Sequence, residues 1–310
     1  MKIEGSEAFE GAIRNKMRKY PDRVDPRYDD HFIYPSVAPK FSIKPTESVF
    51  TIGSCFARNV EEALVSNGVN VPTAGFVAPH EEAPGRPNRI LNQYNLATML
   101  QCVKAADQPV NERGLYETAS GDVIDCLLAT GSRSVTIARA RERRAQINSL
   151  YLDGLADAGV VVVTLGLVEA WYDNEHGIYL NEAPPRQTIS KDKGRFIFNQ
   201  LGVDECRSML FELLELLIGE NRLNIILTVS PVPLQVTFAG GDAVIANSYS
   251  KAVLRVVAEM ASQSFSRVDY YPSYEIVTTG GLRSYGDDNV HVRNVVVQRI
   301  VDHMVSLYIA

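Results

Sequence analysis

The sequence predicts an α/β protein whose core is a parallel, doubly wound sheet in one domain. Three observations predict it. Strand-like runs alternate with amphipathic, helix-like runs along most of the 310 residues, as strand–helix–strand units require. Two of the strand-like runs, residues 159–165 (Gly-Val-Val-Val-Val-Thr-Leu) and residues 224–229, are continuously apolar instead of alternating, which marks strands covered on both faces. Hydrophobic content of 45% and charged content of 22% are those of an ordinary globular protein long enough to bury a sizeable core.

Residues 1–45 are polar and carry Pro21, Pro26, Pro35, Pro39 and Pro45. They read as an extended arm over the body, with residues 46–310 as the single domain. Residues 49–52 form the first strong strand. A helix over residues 59–67 follows, with Val60, Ala63, Leu64 and Val65 on one side and Gly68 as its stop. Residues 69–71 read as the next strand, residues 74–89 as a Gly/Pro-rich loop, and residues 92–103 as a helix. Turn signals at Gly114 and Ser120-Gly121 make residues 110–137 a hairpin-rich insertion. A helix over 139–156 leads into the buried strand 159–165. Residues 172–196 are a polar excursion, and residues 203–218 an amphipathic helix. The second buried strand, 224–229, stops at Ser230-Pro231-Val232-Pro233. A helix over 247–262 places Lys251 and Arg255 on one face, as candidates for an anionic substrate group or for salt bridges. A short strand at 268–271 and a closing helix at 292–308 complete the chain. There is no internal repeat and no low-complexity tract.

The formal charge is −6, and no basic stripe interleaved with aromatics is present, so a nucleic-acid role is disfavoured. The main positive cluster, residues 139–144 (Arg-Ala-Arg-Glu-Arg-Arg), reads as the solvated face of a helix. Cys55, Cys102, Cys126 and Cys206 are widely spaced, so neither a zinc site nor a disulfide framework is indicated, and free thiols in a reducing compartment are expected. The first residues have no apolar signal core, and no apolar run approaches the ~20 residues that span a bilayer. A cytoplasmic location without a membrane span is expected. No His spacing suggests a metal.

In open α/β sheets ligands sit beyond the carboxyl ends of the strands. Four segments leave a strand there: Gly53-Ser54-Cys55, Gly166-Leu167-Val168-Glu169, Ser230-Pro231-Val232-Pro233, and the loop over residues 272–291. Ser54, at a strand-to-helix turn, is a candidate nucleophile, because the helix N-terminus offers free N–H groups and positive potential. Serine is also a common helix N-cap, so the turn alone leaves both readings open. Asp288-x-x-His291 supplies a carboxylate and an imidazole at a spacing that puts both on one side of a helical turn. There Asp288 can hold the tautomer of His291 while His291 faces Ser54. The alternative is a polar loop with Asp287 or Asp288 as a cap. Cys55 is the rival nucleophile, its thiol expected to be depressed by the helix N-terminus, or else a packing residue whose N–H lies near the oxyanion. Arg58, one turn beyond Ser54, is a candidate for an anionic substrate group or for a salt bridge.

With these residues in place the chain is identified as a member of the GSCFA-domain family, whose motif stands here as Gly53-Ser54-Cys55-Phe56-Ala57. Further blocks resemble the family in order: Thr164-Leu165-Gly166-Leu167-Val168-Glu169-Ala170-Trp171, Leu227-Thr228-Val229-Ser230-Pro231-Val232-Pro233-Leu234, Asn247-Ser248-Tyr249-Ser250-Lys251-Ala252-Val253-Leu254-Arg255 and Tyr271-Pro272-Ser273-Tyr274-Glu275-Ile276. The family is similar to the SGNH (GDSL-like) hydrolases and acyltransferases. The resemblance implies a three-layer, flavodoxin-like fold and a triad of Ser54, Asp288 and His291.

It also exposes a departure. Where that superfamily carries Gly-x-Asn-Asp, this chain has Gly166-Leu167-Val168-Glu169, and the Val168 side chain cannot donate to an oxyanion, an interaction worth roughly 3 kcal/mol of barrier. Asn92 is a candidate substitute or a cap, and the N–H groups of Ser54, Cys55 and Gly166 are further candidates, with Gly53 shaping the turn. Glu169 and Trp171 are candidates to line the pocket.

The implied activity is that of a serine esterase removing or transferring an O-acyl group, acetyl by analogy, on a carbohydrate through an acyl-Ser54 intermediate, with no cofactor. The alternatives are an acyl-CoA-dependent polysaccharide O-acyltransferase, with acyl-CoA as co-substrate and Arg58, Arg86 and Arg89 at the mouth, and a non-catalytic carbohydrate-binding protein.

Overall fold

The computed structural model describes residues 2–309 and, for Glu220 and Asn221, the backbone alone. Four parallel strands form the central sheet: β1 (Ser48–Gly53), β2 (Ala158–Leu165), β3 (Asn224–Val229) and β4 (Val268–Tyr270), in the order β4-β3-β2-β1. Outside β1, Asn70 forms a parallel bridge with Ser48, and its carbonyl accepts the Val49 N–H at 2.9 Å. Counting that segment second in chain order, the order across the sheet is 2-1-3-4-5, the flavodoxin-like doubly wound arrangement. The strand expected at residues 69–71 is thus a single bridge. Gly68, at φ +80°, ends the preceding helix, and Pro72 opens a 3-10 turn, which leaves no room for a ladder.

Seven helices pack on the sheet: α1 (Cys55–Ser66), α2 (Leu96–Ala105), α3 (Ile137–Asp157), α4 (Val203–Asn221), α5 (Ala243–Ser264), α6 (Ser273–Thr279) and α7 (Asn294–Tyr308). Alternate residues of β2 point to opposite cores. Val161, Val163 and Leu165 meet α2 to α5 through Met99, Ile147, Leu213 and Val257. Val160 and Val162 meet α1, α6 and α7 through Phe56, Val60, Ile276 and Ile300. That is the three-layer α/β fold expected from the sequence, and it explains the unbroken apolar runs of β2 and β3. Capping side chains set several helix starts. The Asn95 side chain accepts from Thr98 N–H at 3.0 Å, so α2 begins after residue 95 and Asn92 precedes the helix instead of opening it. Asp242 accepts from Val244 N–H at 2.7 Å and starts α5 four residues earlier than its apolar pattern suggests. Among the described residues no helix is long and apolar enough to cross a membrane.

The two excursions are small antiparallel sheets. Residues 110–137 contain strands Leu115–Glu117, Val123–Asp125 and Ser134–Val135. Residues 169–200, polar on average, hold strands Glu169–Asp173, Ile178–Leu180 and Phe196–Gln200. Asp173 joins the two sheets, accepting from the Tyr116 hydroxyl at 2.7 Å and from Arg195 at 2.9 and 2.8 Å.

The arginine run at 139–144 is not the solvated face expected. Arg143 is buried and donates to Glu82 at 2.9 Å, and Arg144 grips Asp125 with two bonds of 2.8 and 2.7 Å. The carboxylates that draw these side chains inward come from Glu82 and Asp125, remote in sequence and invisible to helical spacing. In the N-terminal arm, Phe32 and Ile43 are buried in the α1/α7 core, and the Ile43 N–H donates to Tyr308 O at 2.6 Å. The helix Gly5–Arg14 buries no residue.

Candidate active site

Because the sheet is parallel, the ends of β1 and β2 lie together at its carboxyl edge, where the strand order reverses. Gly53, at φ +146°, closes β1 so tightly on β2 that a Cβ there would lie 2.4 Å from Thr164 O. Ser54 then occupies the N-cap position of α1, yet its side chain caps nothing. The hydroxyl is buried and has no hydrogen-bond partner among the described residues. The helix start therefore explains the place of Ser54 but leaves its Oγ without a structural role.

The exit of β2 packs directly over it. A Cβ on Gly166 would lie 3.4 Å from Ser54 Cβ and 2.5 Å from Tyr94 O. Leu167 N–H donates to Tyr94 O at 2.8 Å, and Val168 N–H to Ser250 Oγ at 3.0 Å. The Val168 side chain is fully buried in the core with β2 and α2 to α5. Gln93 N–H donates to Gly53 O at 2.8 Å, which brings the neighbouring Asn92 to the same edge. Asn92 is buried, its Oδ1 has no partner among the described residues, and its amide lies beside the Tyr94 phenol, whose pKa burial raises and Asn92 lowers.

Asp288 and His291 sit not on a helical turn but on an exposed hairpin turn closed by the Tyr285–Val292 bridge. Asp288 Oδ1 accepts the N–H groups of Val290 and His291, both at 3.0 Å, which folds the side chain back so that Oδ2 meets His291 Nδ1 at 2.5 Å. That bond and the two N–H groups hold the Asp288 carboxyl well below the usual range. The pair leaves Nε2 of the imidazole, the nitrogen a serine hydroxyl requires, facing outward. The turn is anchored by the Tyr285 hydroxyl, which donates to Pro231 O at 3.1 Å beyond β3. The structure brings Asp288 and His291 together but does not hydrogen-bond His291 to Ser54: the His291 side chain is 69% exposed and Ser54 5%.

A model of the GSCFA family matches residues 48–304, from β1 through most of α7. The chain belongs to the GSCFA family. No protein of curated function matches it. Among solved structures it is similar to a GDSL-like lipase from Bacteroides thetaiotaomicron VPI-5482, at 11% identity and a TM-score of 0.42 over 84% of this chain and 88% of that one. It is also similar to a family 3 carbohydrate esterase from Clostridium thermocellum, at 7% identity and a TM-score of 0.35 over 85% of this chain and 94% of that one.

Other residues of this GSCFA chain sit differently from expectation. Arg58 does not face a substrate: it is buried, paired to Glu61 at 2.7 Å and to Thr51 at 3.3 Å within the α1 layer. Arg86 pairs with Glu62 at 2.7 Å. The Cys55 thiol is raised by burial, against the lowering influence of Lys251 and Arg86, so the helix N-terminus does not yield the depressed thiol expected there. Glu169 is committed to Thr237 Oγ1 at 2.5 Å and Phe238 N at 3.1 Å, and Trp171 stacks edge-on with Phe198 and Phe238. Lys251, which the sequence left between a contact for an anionic substrate group and a salt-bridged surface residue, is buried, with Nζ donating to Gly166 O at 2.8 Å. Its position between Ser250 and Val253 on the buried face of α5 is the sequence signal for that placement.

Proposed function

We propose that this GSCFA protein is a serine esterase of the SGNH type that cleaves or transfers an O-acyl group through an acyl-Ser54 intermediate. The observation that carries the reading is the Ser54 hydroxyl, which is placed at the N-terminus of α1 and the topological switch point, is buried, and has no hydrogen-bond partner among the described residues. In the proposed reaction the turn over residues 286–291 folds toward the sheet edge. His291 Nε2 takes the Ser54 proton while Asp288 holds the imidazole at Nδ1. Ser54 Oγ attacks the acyl carbonyl, and the N–H groups of Ser54, Cys55 and Gly166 receive the oxyanion. His291 then returns the proton to the leaving alcohol, and water or a second hydroxyl takes the acyl group. The Asn92 amide, turned to Tyr94, is a weaker donor candidate than these N–H groups.

A carbohydrate as the acyl-bearing molecule follows from the family resemblance, as does acetyl as the group transferred, and a cytoplasmic site of action is part of the same reading. Transfer from an acyl-coenzyme A is the less supported variant, since Arg58 and Arg86 are engaged in ion pairs. Labelling with a fluorophosphonate probe tests the proposal. Wild type should label at neutral pH and Ser54→Ala should not. A folded wild type that stays unlabelled would remove the enzyme reading and leave a binding protein on a hydrolase-like fold. Comparing hydrolysis of a small acetyl ester with transfer from acetyl-CoA to a sugar then decides between the two acyl routes.

A further inference from the structure

Lys251 is a buried cation that the chemistry above leaves unused. It is 1% exposed, and among the described residues no carboxylate pairs with it, the Gly166 carbonyl being its hydrogen-bond acceptor. An ammonium buried without a counter-charge destabilises a fold, so its placement needs a reason other than packing. The neighbourhood supplies one. Residues 166–168 are pinned by three bonds: Lys251 Nζ to Gly166 O at 2.8 Å, Leu167 N–H to Tyr94 O at 2.8 Å, and Val168 N–H to Ser250 Oγ at 3.0 Å. Only the first comes from a group that can carry charge. The segment it holds is the one against which Ser54 packs.

Burial brings the Lys251 amine down to about 7, with Cys55 acting in the opposite direction. The groups that face it are Cys55 from the start of α1 and, around Cys55, the Tyr94 phenol and Arg86. Glu169, at the same strand exit, is already bound to Thr237 and Phe238. Lys251 therefore changes charge with little local compensation.

We propose that Lys251 is a positioning residue for the reaction at Ser54, fixing the Gly166 carbonyl and thereby the segment against the nucleophile, and setting positive charge behind the oxyanion where Val168 offers no donor. The proposal rests on Ser54 being the nucleophile. It makes Lys251 a group kept for rate at the expense of stability, and its removal should separate the two.

The test compares the full chain with Lys251→Met and Lys251→Gln in p-nitrophenyl acetate hydrolysis, fluorophosphonate labelling and thermal melting near pH 7. Lys251→Met should melt no lower than wild type, while kcat falls about 10²- to 10³-fold and KM stays within about threefold. Titration of ¹³C-labelled lysine ε-carbons in wild type gives a readout free of variants: the Lys251 midpoint should rise once Ser54 carries the phosphonyl group. A wild type that neither labels nor hydrolyses ester removes the Ser54 reading, and this proposal with it. If wild type labels, the proposal alone is overturned by unchanged kcat in both variants, by a Met variant that loses stability and rate together, or by a Lys251 midpoint indifferent to phosphonylation.

Discussion

Single side chains decide whether this edge of the sheet does chemistry. The place of Ser54 was legible because strand, turn and helix start are local in sequence; the contact of Asp288 with His291 was legible from their spacing, but the hairpin turn that makes it was not. Lys251, Arg58 and Cys55 were not, because their states depend on partners and burial contributed by other segments. Asp288 accepts three hydrogen bonds, remains ionised across the working pH range and fixes one tautomer of His291. If the proposed triad operates, Asp288→Asn should keep the fold and lower ester turnover by about 10²- to 10⁴-fold, measured as kcat against wild type; unaltered turnover would remove Asp288 from the proposed triad. Lys251 gives a second prediction with a defined sign. Its amine is lowered from 10.5 to about 7 in the fold, so between those pH values the unfolded chain binds more protons and stability rises with pH. The cost at neutral pH, on the order of 5 kcal/mol, is largely gone near pH 10. The difference in melting temperature between Lys251→Met and wild type should thus be largest at or below pH 7 and shrink toward pH 10. A difference that is flat in pH would show that Lys251 does not titrate as its burial requires.

At the scale of elements, the sequence marked what repeats and missed what closes. β2 and β3 announced themselves because strands covered on both faces must be apolar throughout, and α4 through its amphipathic pattern. The segment at 69–71 has strand-like residues, but Gly68 and Pro72 confine it to one bridge. Residues 172–196 were read as a polar excursion because the strands that occupy 169–200 are short and partly exposed, and their organising residue, Asp173, is a buried carboxylate whose partners Tyr116 and Arg195 lie 57 and 22 residues away. Burial would raise the Asp173 carboxyl, but Arg195, Tyr116 and the His176 N–H together bring it down to about 2. A carboxyl lowered in the fold contributes stability that is fully present above its unfolded value, near 4, and is lost as pH falls toward 2. Asp173→Asn should remove that contribution, costing roughly 3–5 kcal/mol as a buried ion pair is broken. Chemical denaturation at pH 7 and pH 3 reads it: the variant should be destabilised more at pH 7 than at pH 3. Equal destabilisation at both would mean that the carboxylate charge is not what joins the two small sheets.

For the molecule as a whole, the question is how much the segment before β1 belongs to the folded body. The proline-rich composition of residues 1–45 suggested an arm, and the contacts divide it in two. The helix Gly5–Arg14 buries nothing and leaves Phe9 and Ile13 exposed. From Phe32 onward the arm is part of the α1/α7 layer. Phe32 lies against Gly280, where a Cβ would come within 2.5 Å of its ring, Lys40 N–H donates to Asp269 at 2.7 Å, and Ile43 bridges Ile309 beside the last turn of α7. α7 in turn begins just after the turn that carries Asp288 and His291, so the arm braces the far end of the helix that anchors the dyad. Removing residues 1–15 should leave the melting temperature unchanged within about 2 °C. Removing residues 1–44 takes away Phe32 and Ile43, two buried side chains worth roughly 1.5–3 kcal/mol each, and should lower it by on the order of 10 °C. If the arm is a brace for the dyad as well as a cover for the core, amide exchange in α7 and in residues 286–291 should quicken only in the longer deletion, at temperatures where both proteins are folded. Equal exchange in the two deletions would reduce the arm to a covering with no hold on the turn that carries Asp288 and His291.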